Sequence, residues 1–298
     1  MKTYLDCIPC FFRQALEAAR ISGAGPEIQK AVLDDVARKI QDFSLNSSPP
    51  EMARTIHYSV KKHTGITDPY LKVKDKSNQM ALSIYPQIKK KVHQSRDPFA
   101  TAVQMAIAGN IIDYGAKNKL DVDKELGKIL EVDQTTLSNQ NGKYFQIKQL
   151  KNALKESETI LYLADNAGEA VFDRVLIEEI RRVYTNKTIL YAVKERPIIN
   201  DALKKDAMDC GVEQTATVFS SGSDAPGTVL HYCSNQFLKV FEKANVVISK
   251  GQGNFEGLSH TSQSVFFLLV AKCSVIAQDI GCRVGQAILL NLSESVFP

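Results

Sequence analysis

Asp165 and Asn166 stand side by side at the end of an apolar run, in "ETILYLADNAGE", with a small turn at Ala167-Gly168 behind them. A carboxylate and an amide oxygen at the mouth of a buried strand have little packing use. A third oxygen donor, Asp201, lies just past the next apolar run, "KTILYAVKERP", at the expected start of the following helix. If the two runs are neighbouring strands, three hard oxygen donors meet. Such a set suits magnesium, manganese or a similar cation and leaves positions for water and a substrate oxygen. The plainer use of an Asp or Asn before a helix is an N-cap. What favours a metal is that three such residues stand together at strand ends.

Two further stretches offer to hold an anion. In "SKGQGNFEG", Gly251 and Gly253 allow the backbone to approach a ligand closely and turn N–H groups toward it. The loop is neither G-x-G-x-x-G nor a Walker loop. Lys272 ends the apolar run "FFLLVA" and opens the next helix, where its point charge beside helix N–H groups suits phosphate. A lysine snorkelling from a strand end is the alternative. Asn110 and Asp113 lie three apart on a mostly apolar helix, "AIAGNIIDYG", placed to bond a neighbouring helix or to touch substrate. Cys7 and Cys10 form a Cys-x-x-Cys at the first helix, read first as packing and second as redox or metal chemistry. No second Cys pair completes a zinc site, and the five histidines show no ligand spacing.

The elements that must position these residues fall into two kinds. Residues 1–150 read as an all-helical lobe. "CFFRQALEAARISG" and "PEIQKAVLDDVARKIQDF" have helical apolar spacing, a glycine stop and a first-turn proline. Residues 151–298 alternate strands with helices, which implies right-handed βαβ units and a Rossmann-like parallel sheet with helices on both faces. In such a sheet the ligand sits beyond the carboxyl ends of the strands, near the switch in strand order. The loops at Asp165-Asn166, 194–201, 220–224, 250–254 and Lys272 should converge there.

Length and composition fit this plan: 298 residues, 44% apolar and 23% charged. With no signal-like start and no apolar stretch of membrane-spanning length, we expect a cytoplasmic protein with six reduced thiols. The net charge of +4 hides an asymmetry, since residues 54–96 hold ten Lys or Arg against Asp68 and Asp75. A solvated helix face is the ordinary reading of that window, and attraction of an anion is the other.

Taken together, "YLDCIPCFFRQAL", "DPYLKVKDKSNQMAL", "AIAGNIIDYG", "ADNAGE", "KERPIINDA", "SKGQGNFEGL" and "LLVAKC" resemble the metal-dependent damage-control phosphatases. The resemblance runs over nearly the whole chain in motif order, and the Cys-x-x-Cys start is similar to an archaeal and bacterial branch. It implies a helical lobe on a Rossmann-like domain and hydrolysis of small phosphate esters, such as sugar phosphates or damaged phosphometabolites, with Mn, Mg, Ni or Co. It implies metal ligation by Asp165, Asn166 and Asp201; we read Asp165 and Asp201 as catalytic, with either metal-bound water or Asp165 itself as the attacking group. It also implies substrate contact by the Lys250-Gly251-Gln252-Gly253-Asn254 loop, in which Gln252 replaces the family's acid, and phosphate binding by Lys272. The family's arginine at that strand end is Leu269 here.

Two other functions compete. A carboxyl methyltransferase using S-adenosylmethionine would want a glycine-rich first loop and an acid ending strand two, whereas "DNAGE" supplies one glycine and strand two ends in Lys194. A nucleic-acid binder would use the basic 54–96 window, without any recognised binding motif beside it. The partner expected from the main reading is a small phosphorylated metabolite.

Overall fold

The computed structural model describes residues 1–109 and 143–292. Asn110 and Asp113 lie outside the described residues.

Local signals set the first helices: α1 (Cys7–Ile21), α2 (Pro26–Asp42) and α3 (Pro49–Thr64). Pro26 and Pro49 sit in first turns, where a missing N–H costs nothing. Ser48 caps α3 through a reciprocal box in which its backbone N–H donates to Glu51 Oε2 at 2.7 Å. Gly65 ends it in the left-handed region at φ 72°. These three helices bury a core of their own around Phe11, Ala15, Val36, Met52 and Ile56.

The next two helices behave differently. α4 (Leu71–Gln94) and α5 (Pro98–Ala108) share a core with the sheet that follows. Almost every residue of α5 is buried, as its nearly unbroken apolar sequence requires. α6 (Ile147–Glu156) then leads into β1 (Thr159–Leu163).

From β1 the chain winds through α7 (Glu169–Val183), β2 (Thr188–Val193), α8 (Lys204–Asp209) and β3 (Thr217–Ser220). It returns through α9 (Asn235–Lys243), β4 (Val246–Lys250), α10 (Gln252–Leu258), β5 (Val265–Val270), α11 (Ser274–Ile280) and β6 (Ala287–Asn291). The strand order is β3-β2-β1-β4-β5-β6. Five strands are parallel, and edge strand β6 runs antiparallel to β5, so the sheet is mixed rather than wholly parallel. The chain reaches β6 from β5 through α11 and pairs with it in the opposite sense, Leu268 opposite Leu289.

Side chains of β1 alternate between faces. Ile160 and Tyr162 join the core under α4, α5 and α7, whereas Leu161 and Leu163 join the core under α9, α10 and α11. Helices therefore cover both faces. α7 is buried on nearly all sides, pressed between the sheet and α4 and α5. The chain leaves β1 toward one edge and comes back at β4 on the other side. That is the switch in strand order at which a crevice opens.

Candidate active site

The loops after β1 and β2 are joined to each other. Ala202 N–H donates to the Asp165 carbonyl at 2.8 Å, and Ala167 N–H to the Asn200 carbonyl at 2.9 Å. Asn166 and Asp201 form an isolated antiparallel bridge. This ladder brings Asp165, Asn166 and Asp201 together, all buried at the carboxyl edge. Asp201 does not open a helix, because α8 starts three residues later at Lys204. Its place is set by strand-like pairing with the first loop rather than by helix capping.

Asp165 faces Gly251 closely. The backbone there has φ 80° and ψ 166°, a region open to glycine almost alone. A Cβ on residue 251 would stand 1.9 Å from Asp165 Oδ2. The expected close approach at this glycine is therefore to the Asp165 carboxylate. Its N–H is occupied by the Leu268 carbonyl at 3.0 Å. Gly253 serves the loop before α9, since a Cβ there would meet Gly227 N at 3.3 Å.

Two other expected ligand contacts lie inside the protein. Lys250 is 0% exposed, and its Nζ stands 2.7 Å from Asp173 Oδ1 and 3.1 Å from Glu169 Oε2. Its ammonium is held between two carboxylates under the crevice, not offered to solvent. Burial alone acts to lower its pKa, but Asp173 and Glu169 more than reverse this and keep it charged. Asn254 is fully engaged: its Nδ2 donates to the Ala164 and Lys250 carbonyls at 2.9 and 2.7 Å, and its Oδ1 accepts from Thr228 at 2.7 Å. It ties the ends of β1 and β4 together. Lys272 is exposed on the loop after β5, and its charge acts on Asp165.

A buried polar network links these groups. Asn166 Nδ2 donates to Asp165 Oδ2 at 3.1 Å and to Glu169 Oε1 at 2.8 Å, which leaves the amide oxygen as its remaining donor atom toward a ligand. Asp173 accepts from the hydroxyls of Tyr162 and Tyr191, each at 2.8 Å. Lys194 donates to the Gly227 carbonyl and lies 3.6 Å from Asp201 Oδ2, an ion-pair distance beyond hydrogen bonding. Asp201 Oδ2 is buried without a hydrogen-bond partner.

The electrostatics follow from that list. Four buried carboxylates (Asp165, Glu169, Asp173 and Asp201) face the buried ammonium groups of Lys194 and Lys250, while buried Lys74 acts on Asp201 and Lys272 on Asp165. Burial pushes the Asp165 carboxyl well above its usual range, and the nearby Glu169 and Asp201 push it further. Burial raises Asp201 to about 6, with Lys194 opposing. A buried carboxyl pushed up by two others, beside an Asp201 oxygen that makes no hydrogen bond, fits a divalent cation. Among the described residues no three His, Cys, Asp or Glu side chains form a metal-holding group. A metal here would therefore rest on two carboxylates and one amide, leaving its other positions open.

From the sequence, Glu169, Asp173 and the two tyrosines have no site role, and Lys194 has only a place at the end of the second strand. One signal was available, because Glu169 and Asp173 stand four apart at the head of an otherwise apolar helix segment, "EAVFD". The Cys-x-x-Cys lies in the first turns of α1, remote from the three donors in sequence, and Cys7 packs between the α1–α3 core and the sheet core. Burial raises its thiol pKa. Part of the basic 54–96 window is engaged internally: Lys74 with Asp68 at 2.8 Å, Lys89 with Glu178 at 2.9 Å, and Arg54 with Asp224 at 2.5 Å.

Fold and crevice together define a doubly wound α/β protein with an acidic, oxygen-donor site at its topological switch. The chain matches the Damage-control phosphatase ARMT1-like domain over residues 3–288 and belongs to that family. It is 33% identical over 294 residues to a damage-control phosphatase of Pyrococcus horikoshii, covering 98% of each chain. It is 33% identical over 293 residues to a damage-control phosphatase of Archaeoglobus fulgidus, covering 97% of this chain and 98% of the relative. The crystal structure of a DUF89 family protein from P. horikoshii superposes with a TM-score of 0.86 at 32% identity, covering 98% of this chain and 99% of that one. These relatives are phosphatases by name and favour neither a methyltransferase nor a nucleic-acid binder. Among the described residues no helix is long and apolar enough to cross a membrane.

Proposed function

We propose that this chain is a divalent-metal-dependent phosphatase of small phosphate monoesters, such as sugar phosphates or damaged phosphometabolites. Asp165, Asn166 and Asp201 would hold the cation, with Mn, Mg, Ni or Co suited to an oxygen set. The observation that carries the reading is the convergence of two buried carboxylates and one amide at the topological switch, with an Asp201 oxygen that makes no hydrogen bond. The bound ion would supply Lewis acidity and charge neutralisation at a phosphoryl oxygen.

The chain's own groups do the rest. Asp165 is held by Gly251 behind it and Asn166 beside it. The Lys250–Glu169–Asp173 cluster fixes Asn166 from below. Lys272, exposed at the rim, offers its ammonium to a phosphate oxygen. Lys194 holds the Asp201 loop and screens its carboxylate. Six unpaired thiols fit the cytoplasmic placement expected from the sequence.

The test is a phosphometabolite panel run on protein stripped with EDTA and then given Mn²⁺, Mg²⁺, Ni²⁺ or Co²⁺. Hydrolysis should vanish on stripping and return with at least one metal. Full activity in EDTA would defeat the metal dependence, and no hydrolysis of any monoester would defeat the substrate class.

A further inference from the structure

The two metal-bearing loops are joined a second time, from outside the sheet. Helix α4 carries Asn78, 3% exposed, against both of them. Asn78 Oδ1 accepts from Gly168 N–H at 2.7 Å, in the turn just after Asp165 and Asn166. Asn78 Nδ2 donates to Asp206 Oδ1 at 2.9 Å. The other Asp206 oxygen accepts from Leu203 N–H at 2.9 Å, two residues beyond Asp201. One amide thus grips the first loop with its oxygen and the second with its nitrogen.

Both ends of this clamp meet a local need. Gly168 has φ 80° and ψ −41°, and it precedes α7, where its N–H has no partner within the helix. Buried and unpaired, that N–H would be left without the hydrogen bond water would have given it. Asp206 is buried and accepts a hydrogen bond at each carboxylate oxygen. Lys74, one turn before Asn78 on the same face, supports this from 3.8 Å while pairing with Asp68 at 2.8 Å. An aspartate at 78 would keep the grip on Gly168 but set two carboxylates together, and an alanine would leave the loops joined by their backbone ladder alone.

We propose that Asn78 is a positioning residue for the cation site: it braces the backbone ladder between the Asp165–Asn166 loop and the Asp201 loop from outside, so that a helix of the N-terminal region tunes metal affinity. This rests on the metal reading above. It touches neither the three donors nor substrate, so its effect should appear in cation binding rather than in chemistry at saturating metal. Supporting groups around metal ligands commonly change affinity about 10–100-fold when removed.

The experiment titrates Mn²⁺ into EDTA-stripped full-length protein by calorimetry, with a thermal melt of each variant. Asn78→Ala should weaken Mn²⁺ binding about tenfold or more. Asp206→Asn, the gentler change, should weaken it in the same direction, and the double variant should lose less than the sum, because both act through one contact. Asn245→Ala removes a comparable amide at the opposite end of β1, where Oδ1 accepts from Glu158 and Thr159 N–H, and should leave the Kd within about twofold. A wild-type Mn²⁺ Kd in Asn78→Ala and Asp206→Asn, whatever their melting temperatures, overturns the positioning role alone. A wild-type protein that binds no Mn²⁺ overturns the metal reading and this inference with it.

Discussion

Replacing Gly251 with alanine should disable the site while leaving most of the fold intact. Two effects add. At φ 80° and ψ 166° any side chain is strained, which costs about 1–3 kcal/mol. The new methyl would also lie 1.9 Å from Asp165 Oδ2 and 2.2 Å from its Cγ, where ordinary contact begins at 3.4 Å. The carboxylate must retreat by about 1.5 Å, on the scale at which misplacing a reacting group costs about 10²-fold in rate. Asp165 has little room to do so, since its main-chain carbonyl is held by Ala202 and its Oδ2 by Asn166. We expect kcat/KM for a phosphomonoester to fall about 10²-fold or more. The melting temperature should fall by on the order of 5 °C, from about 2–4 °C per kcal/mol. The control is Gly65→Ala, at φ 72° with nothing within 4 Å of the added carbon, which should lose similar stability and keep full activity. Steady-state hydrolysis and circular-dichroism melts of both variants decide the matter. Equal activity in Gly251→Ala and wild type would refute the reasoning that this glycine exists to admit Asp165.

Lys250→Met should leave Glu169 and Asp173 buried without their cation and cost about 3–5 kcal/mol in a urea titration; a change below about 1 kcal/mol would mean the cluster is not the foundation assigned to it. Stability should also depend on His57, whose enclosed Nε2 has no partner and whose pKa burial lowers from 6.5 to about 4. The unfolded chain takes up a proton where the folded chain resists it, so this contribution is intact above pH 6.5. It is lost progressively as the pH falls toward 4, by up to roughly 3 kcal/mol. His57→Gln should flatten that slope, and an unchanged slope would place the acid sensitivity elsewhere.

Much of this site is legible in the sequence because it is local. Apolar runs ending in polar pairs mark strand ends, and the βα alternation sends those ends to one edge, so Asp165, Asn166 and Asp201 can be grouped without coordinates. The reading fails where a residue's role is set by distant partners. Lys250 looks like a ligand contact in a glycine loop, but it is claimed by Glu169 and Asp173, 81 and 77 residues earlier. Asn254 is claimed by three neighbours within the crevice wall. Gly251 reads as an opening for a ligand because glycine announces a close approach without naming what approaches. Asn78 gives no local sign, since its two partners lie 90 and 128 residues away. The antiparallel sense of β6 is hidden as well, because strand, helix and strand in succession read as a parallel unit and no local residue marks the reversal.

The most direct measurement is an anomalous difference map from crystals of the stripped protein soaked in Mn²⁺. The account predicts one strong peak within coordination reach of Asp165, Asn166 Oδ1 and Asp201, absent from Asp165→Ala/Asp201→Ala crystals. A protein that hydrolyses phosphomonoesters in Mn²⁺ but shows no peak there, or shows its peak at another set of residues, would contradict it.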